Sequence, residues 1–445
     1  TPEHYGAIHF HDDDLYDCGW QTDFSFAVPA NLTSGIYCVQ IWQKDQEGNR
    51  IEDLIPFFIR PPRGTATAPL ALLIPTASYL AYANHQMISS WWFEELSSCR
   101  FATMSEVDRY LEEHQSFGLS VYDEHSDGSG VCYSSHLRPI LNMRPKTDLW
   151  QFNADTHLTD WLEKLRLPYD VITDDDLHAE GVECLKPYRC VMTGTHPEYY
   201  TKEMLDALQA YTNGGGRLMY MGANGFYWRI SFSDKHPGVI ECRRSEAGIR
   251  PWEPGHGQFH HAFTGEYGGL WRRNGRSSGV LTGLVMSSQG FDVSEPYYLS
   301  SAAHDSRAAF IFEGIDATAG RAFGAYGLCG GGAAGLEIDR ADDNLGTPAH
   351  ALVLGSSRSH TDIYLMTPED MLDPTPDMTG TQNTLIRADM VFFEVGDGGA
   401  VFSTGSIAWA GAMAWNNYDN EVARLTGNVL RRFATPTPFI DRIPV

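Results

Sequence analysis

Polar side chains that can bind metals or transfer protons follow three predicted strands, at the point where each strand ends. Tyr79 and Tyr82 come after the apolar run LALLIP, His196 and Glu198 come after CVMTGT, and Asn224 comes after RLMYMG. In open α/β sheets, ligands bind beyond the carboxyl ends of the strands, so we expect these side chains to converge on one site. Phenol, carboxylate, imidazole and amide groups together can bind a hard cation or move a proton.

The turn that carries His196 and Glu198 stands where many hydrolytic α/β folds hold a nucleophile. Its sequence over residues 194–199, Gly-Thr-His-Pro-Glu-Tyr, contains neither Ser nor Cys. Cys190 falls inside the preceding strand, where we expect a buried and inert thiol. No Gly-x-Ser-x-Gly follows a strand in this region. The pattern therefore argues against a serine or cysteine nucleophile.

Two histidine-rich segments are alternative metal sites. HGQFHH contains His256, His260 and His261, and its first two histidines have the four-residue spacing of a helical zinc site. The Pro and Gly residues before this segment favour a loop instead. HFHDDD contains His9 and His11, followed by three Asp residues, and lies in the N-terminal region. A zinc hydrolase that uses the histidines of residues 256–261 remains open as an interpretation.

A glycine-rich segment over residues 327–340 ends in two carboxylates, Glu337 and Asp339. The segment lacks the Lys and the spacing of a phosphate-binding loop. If the segment is extended, we expect only one of the two carboxylates to face a cleft.

The strands and helices that would position these groups alternate along most of the chain. LALLIP, YDVIT, CVMTGT and RLMYMG are typical of strands buried in a parallel sheet, and helical spacing of apolar residues follows Asp155, Thr201 and Asp419. This alternation predicts an α/β fold with a doubly wound, mostly parallel sheet over residues 66–445. Residues 230–350 are Gly-rich and lose this rhythm, which indicates an irregular insertion over the carboxyl edge of the sheet.

Residues 1–62 have a different pattern. FSFAVP, GIYCVQIWQ and LIPFFIR are β-branched and aromatic runs separated by turn residues, which predicts part of a β-sandwich. Residues 61–65 read as a linker to the α/β region. Because the sequence starts without Met and in strand-like residues, we expect it to be part of a longer polypeptide.

The amino-acid composition limits the kinds of molecule that this protein is expected to bind. The net charge of −25 over 445 residues argues against binding nucleic acid or anionic membranes, and favours a neutral or cationic small partner. No apolar run approaches the length of a transmembrane helix. The eight cysteines are scattered without a Cys-x-x-Cys pair, as is typical of reduced thiols, and we expect a cytoplasmic protein.

Four motifs together resemble a known family. PTASYLAYAN, TGTHPEYYTKEMLDAL, GGGRLMYMGANGFYW and GLEIDRADDNLGTP occur in this order, and they resemble the large (beta) subunit family of N,N-dimethylformamidase over about residues 66–445. The resemblance implies an amidotransferase-like α/β domain preceded by part of an Ig-like β-sandwich. It also implies hydrolysis of the amide bond of N,N-dimethylformamide to formate and dimethylamine.

The same resemblance implies a mononuclear ferric iron (Fe³⁺) held by two tyrosinates and one carboxylate. Carried over by position, the ligands are Tyr82, Tyr122 and Glu198, with Tyr79 as the alternative to Tyr82. The donor set is chemically sound, because a phenol with a pKa of about 10 ionises at neutral pH only beside a strong Lewis acid. Three anionic oxygens also nearly neutralise a trivalent ion.

Further residues match positions around that metal. Glu337 would act as the general base, and His196 and Asn224 would orient water or stabilise the developing oxyanion. Phe226 and Trp228 would line an apolar pocket for the methyl groups of the amide.

The resemblance further implies a small second subunit and an α2β2 or higher assembly. A different class of function stays open beside it, a non-catalytic module that binds a carbohydrate or a protein partner. A purified protein that lacks metal and is inactive on small amides would favour that alternative.

Overall fold

Strands and helices alternate through the residues that the structure, a computed structural model, describes: 11–85, 105–147, 149–245, 252, 254–255, 257–370 and 378–439. The strands are β1 (Gly35–Lys44), β2 (Arg50–Ile59), β3 (Leu70–Ile74), β4 (Tyr133–Ser135), β5 (Asp170–Thr173), β6 (Cys190–Thr193), β7 (Tyr199–Tyr200), β8 (Arg217–Tyr220), β9 (Trp228–Phe232), β10 (Val239–Cys242), β11 (Val285–Glu295), β12 (Tyr297–Leu299), β13 (Ala322–Phe323), β14 (Ala334–Arg340), β15 (Leu352–Ser356), β16 (Leu365–Met366), β17 (Asp389–Val395) and β18 (Gly399–Ser403).

The α-helices in these residues are α1 (Thr76–Ala81), α2 (Glu106–Glu113), α3 (Phe152–Leu165), α4 (Asp174–Glu180), α5 (Val182–Leu185), α6 (Lys202–Asn213), α7 (Gly279–Thr282), α8 (Trp409–Ala414) and α9 (Glu421–Ala434). Among the described residues, no helix combines the length and the apolar composition needed to cross a lipid bilayer.

A nine-stranded sheet forms the centre of the fold, in the spatial order β13-β12-β15-β17-β18-β8-β6-β3-β5. The strands from β18 to β5 are parallel, and the others pair antiparallel. In chain order the parallel strands run 2-1-3-4-5, which is a doubly wound arrangement. The predicted α/β class is confirmed, and the antiparallel strands on one side make the sheet mixed.

Side-chain caps begin several helices around this sheet. The Thr201 hydroxyl accepts a hydrogen bond from the Met204 backbone N–H at the start of α6, and Asn420 caps α9 in the same way. Thr173 caps α4. The acidic triplet at residues 174–176 therefore forms the first turn of α4, where carboxylates interact favourably with the helix dipole.

The region that we expected to be an irregular insertion, residues 230–350, contains regular strands. Strands β12 and β13 extend the central sheet, where β12 pairs with β15 just beyond this region. Strands β11 and β14 form a small antiparallel sheet with β16, and β9 and β10 form another with β4 and β7. Periodicity alone missed these strands, because most of them are short, although β11 spans 11 residues, and the segments between them are rich in Gly.

A hairpin stands where we expected part of a β-sandwich. Within residues 11–62 the structure shows only β1 and β2, paired antiparallel. The predicted strand FSFAVP joins no sheet, and Phe24 and Phe26 are 55% and 56% exposed. The hairpin is attached to the α/β region by the Val171 backbone N–H, which donates to Ser34 Oγ at 2.7 Å.

A buried arginine fastens the segment that follows α9. Arg217, at the start of β8, is 5% exposed. Its Nη1 donates to the carbonyl oxygen of Phe433 at 2.6 Å and also to that of Thr435. Its Nη2 donates to the carbonyl oxygen of Thr437 at 2.7 Å.

We expect Arg217→Met to lower the free energy of unfolding by about 3 kcal/mol, because it leaves the carbonyl oxygens of Phe433 and Thr435 without their charged donor. The carbonyl oxygen of Thr437 keeps its bond from Arg432. Arg189→Met is the matched control, since Arg189 is exposed and makes one long bond of 3.4 Å to the Ala434 carbonyl oxygen. Its loss should stay within about 0.5 kcal/mol. Urea unfolding of the two variants measures the difference, and equal losses would contradict the role of Arg217.

Candidate metal centre

Glu198 is held in place by the backbone of the turn that follows β6. Its N–H donates to Ser78 Oγ at 3.0 Å, and the Thr195 N–H donates to Asp155 Oδ1 at 2.5 Å. A Cβ atom on Gly222 would lie 1.8 Å from the Thr195 carbonyl oxygen, so the turns after β6 and β8 can touch only because residue 222 is glycine. The Glu198 side chain is thus fixed at the carboxyl edge of the parallel strands.

Helix α1, which follows β3, brings one tyrosine to this carboxylate. The Tyr82 hydroxyl donates to Glu198 Oε2 at 2.8 Å. Tyr79 lies on the same helix, but its hydroxyl donates to the Asp155 carboxylate. The structure therefore places Tyr82, and not Tyr79, against Glu198.

Tyr122 reaches the same point from a turn. The Ser120 N–H donates to Asp123 Oδ2 at 2.7 Å and the Tyr122 N–H donates to Ser120 Oγ at 3.1 Å, which shapes the turn. The Tyr122 hydroxyl lies 2.5 Å from that of Tyr82 and 3.3 Å and 3.4 Å from the two oxygens of Glu198. The two phenol rings stack with their centroids 4.4 Å apart.

His196 lies between two carboxylates. Its Nε2 is 2.9 Å from Glu337 Oε2 and 3.4 Å from Glu198 Oε2. Burial acts to lower the pKa of His196, but the Glu337 and Glu198 carboxylates outweigh it and raise this pKa to about 9. Gln151 Nε2 lies 2.8 Å from Nδ1, so a doubly protonated ring requires the Gln151 amide to present its oxygen to Nδ1.

Asn224 is a further polar residue that contacts Glu198. It has a φ of 50°, and its N–H donates to Asp339 Oδ1 at 2.8 Å. Its side-chain Nδ2 donates to Glu198 Oε1 at 3.1 Å. The left-handed backbone is tolerated by Asn, and here it directs the amide to the carboxylate.

Both carboxylates of strand β14 are buried on the side of the site. Asp339 accepts from Asn224 and from the Tyr220 hydroxyl, the latter at 2.8 Å, and burial raises the pKa of Asp339 to about 7. Glu337 faces His196. Our expectation that only one would face a cleft was wrong, because residues two apart in a strand share a face.

Three residues at the centre were missed by sequence reasoning: Gln151, Tyr199 and Arg244. The Tyr199 hydroxyl donates to the Tyr122 hydroxyl at 2.6 Å, and Arg244 Nη1 donates to the Tyr199 hydroxyl at 3.2 Å. The adjacency of Tyr199 to Glu198 was the only available signal. Nothing in the local sequence links Gln151 or Arg244 to the centre.

The three predicted ligand oxygens lie close enough together to share one cation. Their separations of 2.5, 2.8 and 3.3 Å bracket the edge of about 2.8 Å that joins neighbouring ligands in an octahedron with bonds of about 2.0 Å. Burial, followed by the Glu198 charge, raises the pKa values of Tyr82 and Tyr122 well above 10. Both phenols therefore ionise only beside a cation, and the donor set fits a hard trivalent ion.

Polar atoms without a partner surround these oxygens. Within the described ranges, His196 Nε2, Asn224 Oδ1 and Glu337 Oε2 are buried and make no hydrogen bond. The close pair formed by His196 and Glu337 is not aligned for one, although its atoms are 2.9 Å apart. Buried polar atoms of this kind are suited to a bound water or a polar ligand.

The alternative histidine segments have other surroundings. His256 lies outside the described residues. His260 is exposed and His261 is fully buried, and neither is in a helix, so the structure does not give these two a helical arrangement. Burial lowers the pKa of His261 to about 4.

The N-terminal segment is partly described, because His9 lies outside the described residues. His11, Asp14 and His125 place one possible ligand atom each within 4.8 Å of one another. The two imidazole rings are parallel, with centroids 3.6 Å apart, so their nitrogen lone pairs point side by side and do not converge. This cluster connects the segment of His11 to the turn that contains His125.

The remaining predicted site residues are buried. Phe226 packs against Tyr200 and Tyr220 in one apolar cluster. Trp228 belongs to a different apolar cluster, the one that contains Tyr82. Cys190 is fully buried inside β6, and burial raises the pKa of its thiol, as we expected of an inert cysteine.

Comparison with known proteins agrees with the motifs of this centre. A family model described as "N,N-dimethylformamidase beta subunit-like, C-terminal" matches residues 1–420. The N,N-dimethylformamidase beta subunits of Alcaligenes sp and Paracoccus aminophilus are each 43% identical over 443 residues, which is 98% of this chain. The chain spans 57% of the length of each of these relatives. It belongs to the N,N-dimethylformamidase beta subunit-like family.

Proposed function

We propose that this chain carries the catalytic centre of a metal-dependent amidohydrolase that cleaves N,N-dimethylformamide to formate and dimethylamine. The observation that carries the proposal is the convergence of the oxygens of Tyr82, Tyr122 and Glu198 at one buried point. The two relatives are named N,N-dimethylformamidase beta subunit, which supports the choice of substrate.

Tyr82, Tyr122 and Glu198 would hold the ferric ion in this proposal. When bound, that ion supplies Lewis acidity toward the amide carbonyl and lowers the pKa of water. Lewis acidity is needed because amide resonance makes the carbonyl carbon a poor electrophile. Tyr82 and Glu198 are buried and Tyr122 is partly buried, which lowers the local dielectric constant and so strengthens the charge interactions at the centre.

Glu337 moves the proton. Its Oε2 makes no hydrogen bond within the described residues and lies at the centre beside His196, so it can accept a proton from the attacking water. The water oxygen bonds to the carbonyl carbon, and the C–N bond then breaks as Glu337 returns the proton to the amine nitrogen. The products are formate and dimethylamine.

Asn224 and His196 orient the reacting groups. The Asn224 amide donates to Glu198 Oε1 and holds that carboxylate at a fixed angle. His196 Nε2 lies 2.9 Å from Glu337 Oε2 and 3.4 Å from Glu198 Oε2, and from there, when protonated, it can donate to water or to the developing oxyanion. Such fixed donors stabilise charge that appears in the transition state.

Two further aromatic side chains suit the methyl groups of a tertiary amide. The Trp150 ring lies 5.3 Å from that of His196 and 5.1 Å from that of Phe291. Both aromatic side chains are partly buried. We add this pair to Phe226 and Trp228 as candidate lining of the substrate pocket.

The same proposal includes the subunit assembly, the cellular location and the domains of the enzyme. The relatives are called beta subunits, which supports a second kind of subunit; that this subunit is small and that the assembly is α2β2 or higher are part of the proposal. A cytoplasmic location, an amidotransferase-like α/β domain and an Ig-like sandwich before it belong to this proposal as well.

Glu198→Ala should lose iron and activity together, with at least about a 100-fold lower rate, because it removes the only carboxylate among the three ligands. Elemental analysis and release of dimethylamine measure the two losses. Glu203→Ala, on the exposed side of α6, is the control and should keep both. Full activity in an iron-free Glu198 variant would refute the metal assignment.

Tyr82→Phe should weaken and shift the broad visible absorption that tyrosinate gives when bound to ferric iron, because only Tyr122 remains as a phenolate ligand, whereas Tyr79→Phe should leave the band unchanged. The reason is that the Tyr82 hydroxyl lies on Glu198 and the Tyr79 hydroxyl lies on Asp155. Visible spectra of the purified proteins, at matched protein concentration, make the comparison. The opposite result would transfer the ligand role to Tyr79.

Glu337→Gln should keep iron at the wild-type level and lower kcat by about 10²- to 10⁴-fold, since an amide cannot accept the proton. Glu295→Gln, in the neighbouring strand β11, serves as control for a carboxylate outside the centre. Steady-state kinetics on N,N-dimethylformamide separate the two. Near-normal turnover in Glu337→Gln would exclude Glu337 as the base.

A further inference from the structure

Five side chains form a chain of hydrogen bonds that all point in one direction. Arg244 Nη1 donates to the Tyr199 hydroxyl at 3.2 Å, and Tyr199 donates to Tyr122 at 2.6 Å. Tyr122 donates to Tyr82 at 2.5 Å, and Tyr82 donates to Glu198 Oε2 at 2.8 Å. The chain begins at a guanidinium and ends at a carboxylate.

The direction at Tyr199 is imposed by Arg244. A guanidinium has donors and no acceptor, so the oxygen of Tyr199 must accept from it. The single hydroxyl proton of Tyr199 is then directed at the oxygen of Tyr122. Arg244 is itself fixed, because its Nη2 donates to the Val121 carbonyl oxygen at 2.9 Å.

Packing holds the guanidinium in this position. Arg244 is fully buried, and its Cζ lies 4.4 Å from the ring centroid of Trp228 and 4.7 Å from that of Tyr122. The Val121 carbonyl oxygen also accepts from Trp252 Nε1 at 3.0 Å. Arg244 thus holds the backbone next to Tyr122 directly, through the Val121 carbonyl oxygen. It holds the Tyr122 hydroxyl indirectly, through Tyr199.

We infer that Tyr199 is a positioning residue that keeps a hydrogen bond on the oxygen of Tyr122 when that oxygen binds the metal, and that Arg244 sets its direction. This inference rests on the proposed function. A cation at the centre replaces the protons of Tyr82 and Tyr122, which point into the triangle of ligand oxygens. It leaves the proton of Tyr199, which approaches Tyr122 from the side of Arg244.

This permanent donor should tune the metal. A hydrogen bond to a phenolate oxygen stabilises its lone-pair electrons, so the phenolate gives less charge to the ion and the ion stays a stronger Lewis acid. It also raises the energy of the charge-transfer transition from phenolate to iron. Loss of the donor should therefore move the visible band to longer wavelength.

The test is the visible spectrum of Tyr199→Phe, recorded with its iron content and steady-state kinetics. We expect the band at longer wavelength, iron at about the wild-type level and kcat about 10-fold lower. Tyr200→Phe is the matched control, because it removes a buried hydroxyl from the next residue of β7. Tyr200 packs in a different apolar cluster from Tyr199. The band of this control should not move.

Arg244→Lys gives a second, independent readout, because a lysine keeps the charge but cannot hold Tyr199 and Val121 together in a planar fork. We expect a shift in the same direction as in Tyr199→Phe. An unmoved band in Tyr199→Phe overturns the inference alone, and loss of iron in that variant overturns it by making Tyr199 a ligand. A wild-type protein without iron and without the band refutes the proposed function, and this inference falls with it.

Discussion

The burial of the Glu198 carboxylate is the constraint around which the centre is arranged. A carboxylate that is 2% exposed has lost nearly all contact with water, and this costs several kcal/mol unless other groups replace the hydration. The Tyr82 hydroxyl and the Asn224 amide supply hydrogen bonds to it, and His196 supplies a nearby ring N–H. Burial raises the pKa of Glu198, so a bound cation would compensate charge that these groups only partly compensate.

Strand order explains why these groups meet. In a doubly wound sheet with the order 2-1-3-4-5, the first and the third strand are neighbours. The connections that follow these two strands run to opposite sides, and this opens a crevice between them. Those strands are β3 and β6, and Tyr82 follows the first while Glu198 follows the second. The two small sheets then close the crevice: β7 carries Tyr199, and β14 carries Glu337.

The sequence predicts best the parts of the centre that depend on local pattern. LALLIP and CVMTGT have the continuous apolar character of buried parallel strands, and this pattern alone is enough to put Tyr82 and Glu198 at the same sheet edge. Arg244 could not be placed, because its partner Val121 is 123 residues away and the contact depends on how β4, β9 and β10 pair. The irregular appearance of residues 230–350 has the same cause, since most strands there are short and are recognised only by their pairing with neighbouring strands.

The close contact at Gly222 limits how the pocket of this centre can change. Because a Cβ at this position would meet the carbonyl oxygen of Thr195 at 1.8 Å, neither of the two turns can gain a side chain here without a shift of the backbone that carries His196 and Glu198. On the other side, Trp150 and Phe291 are only partly buried and can change volume without moving the backbone of either turn. Substitutions that enlarge or reduce the space beside the candidate metal centre are therefore easier to accommodate at Trp150 and Phe291 than at Gly222.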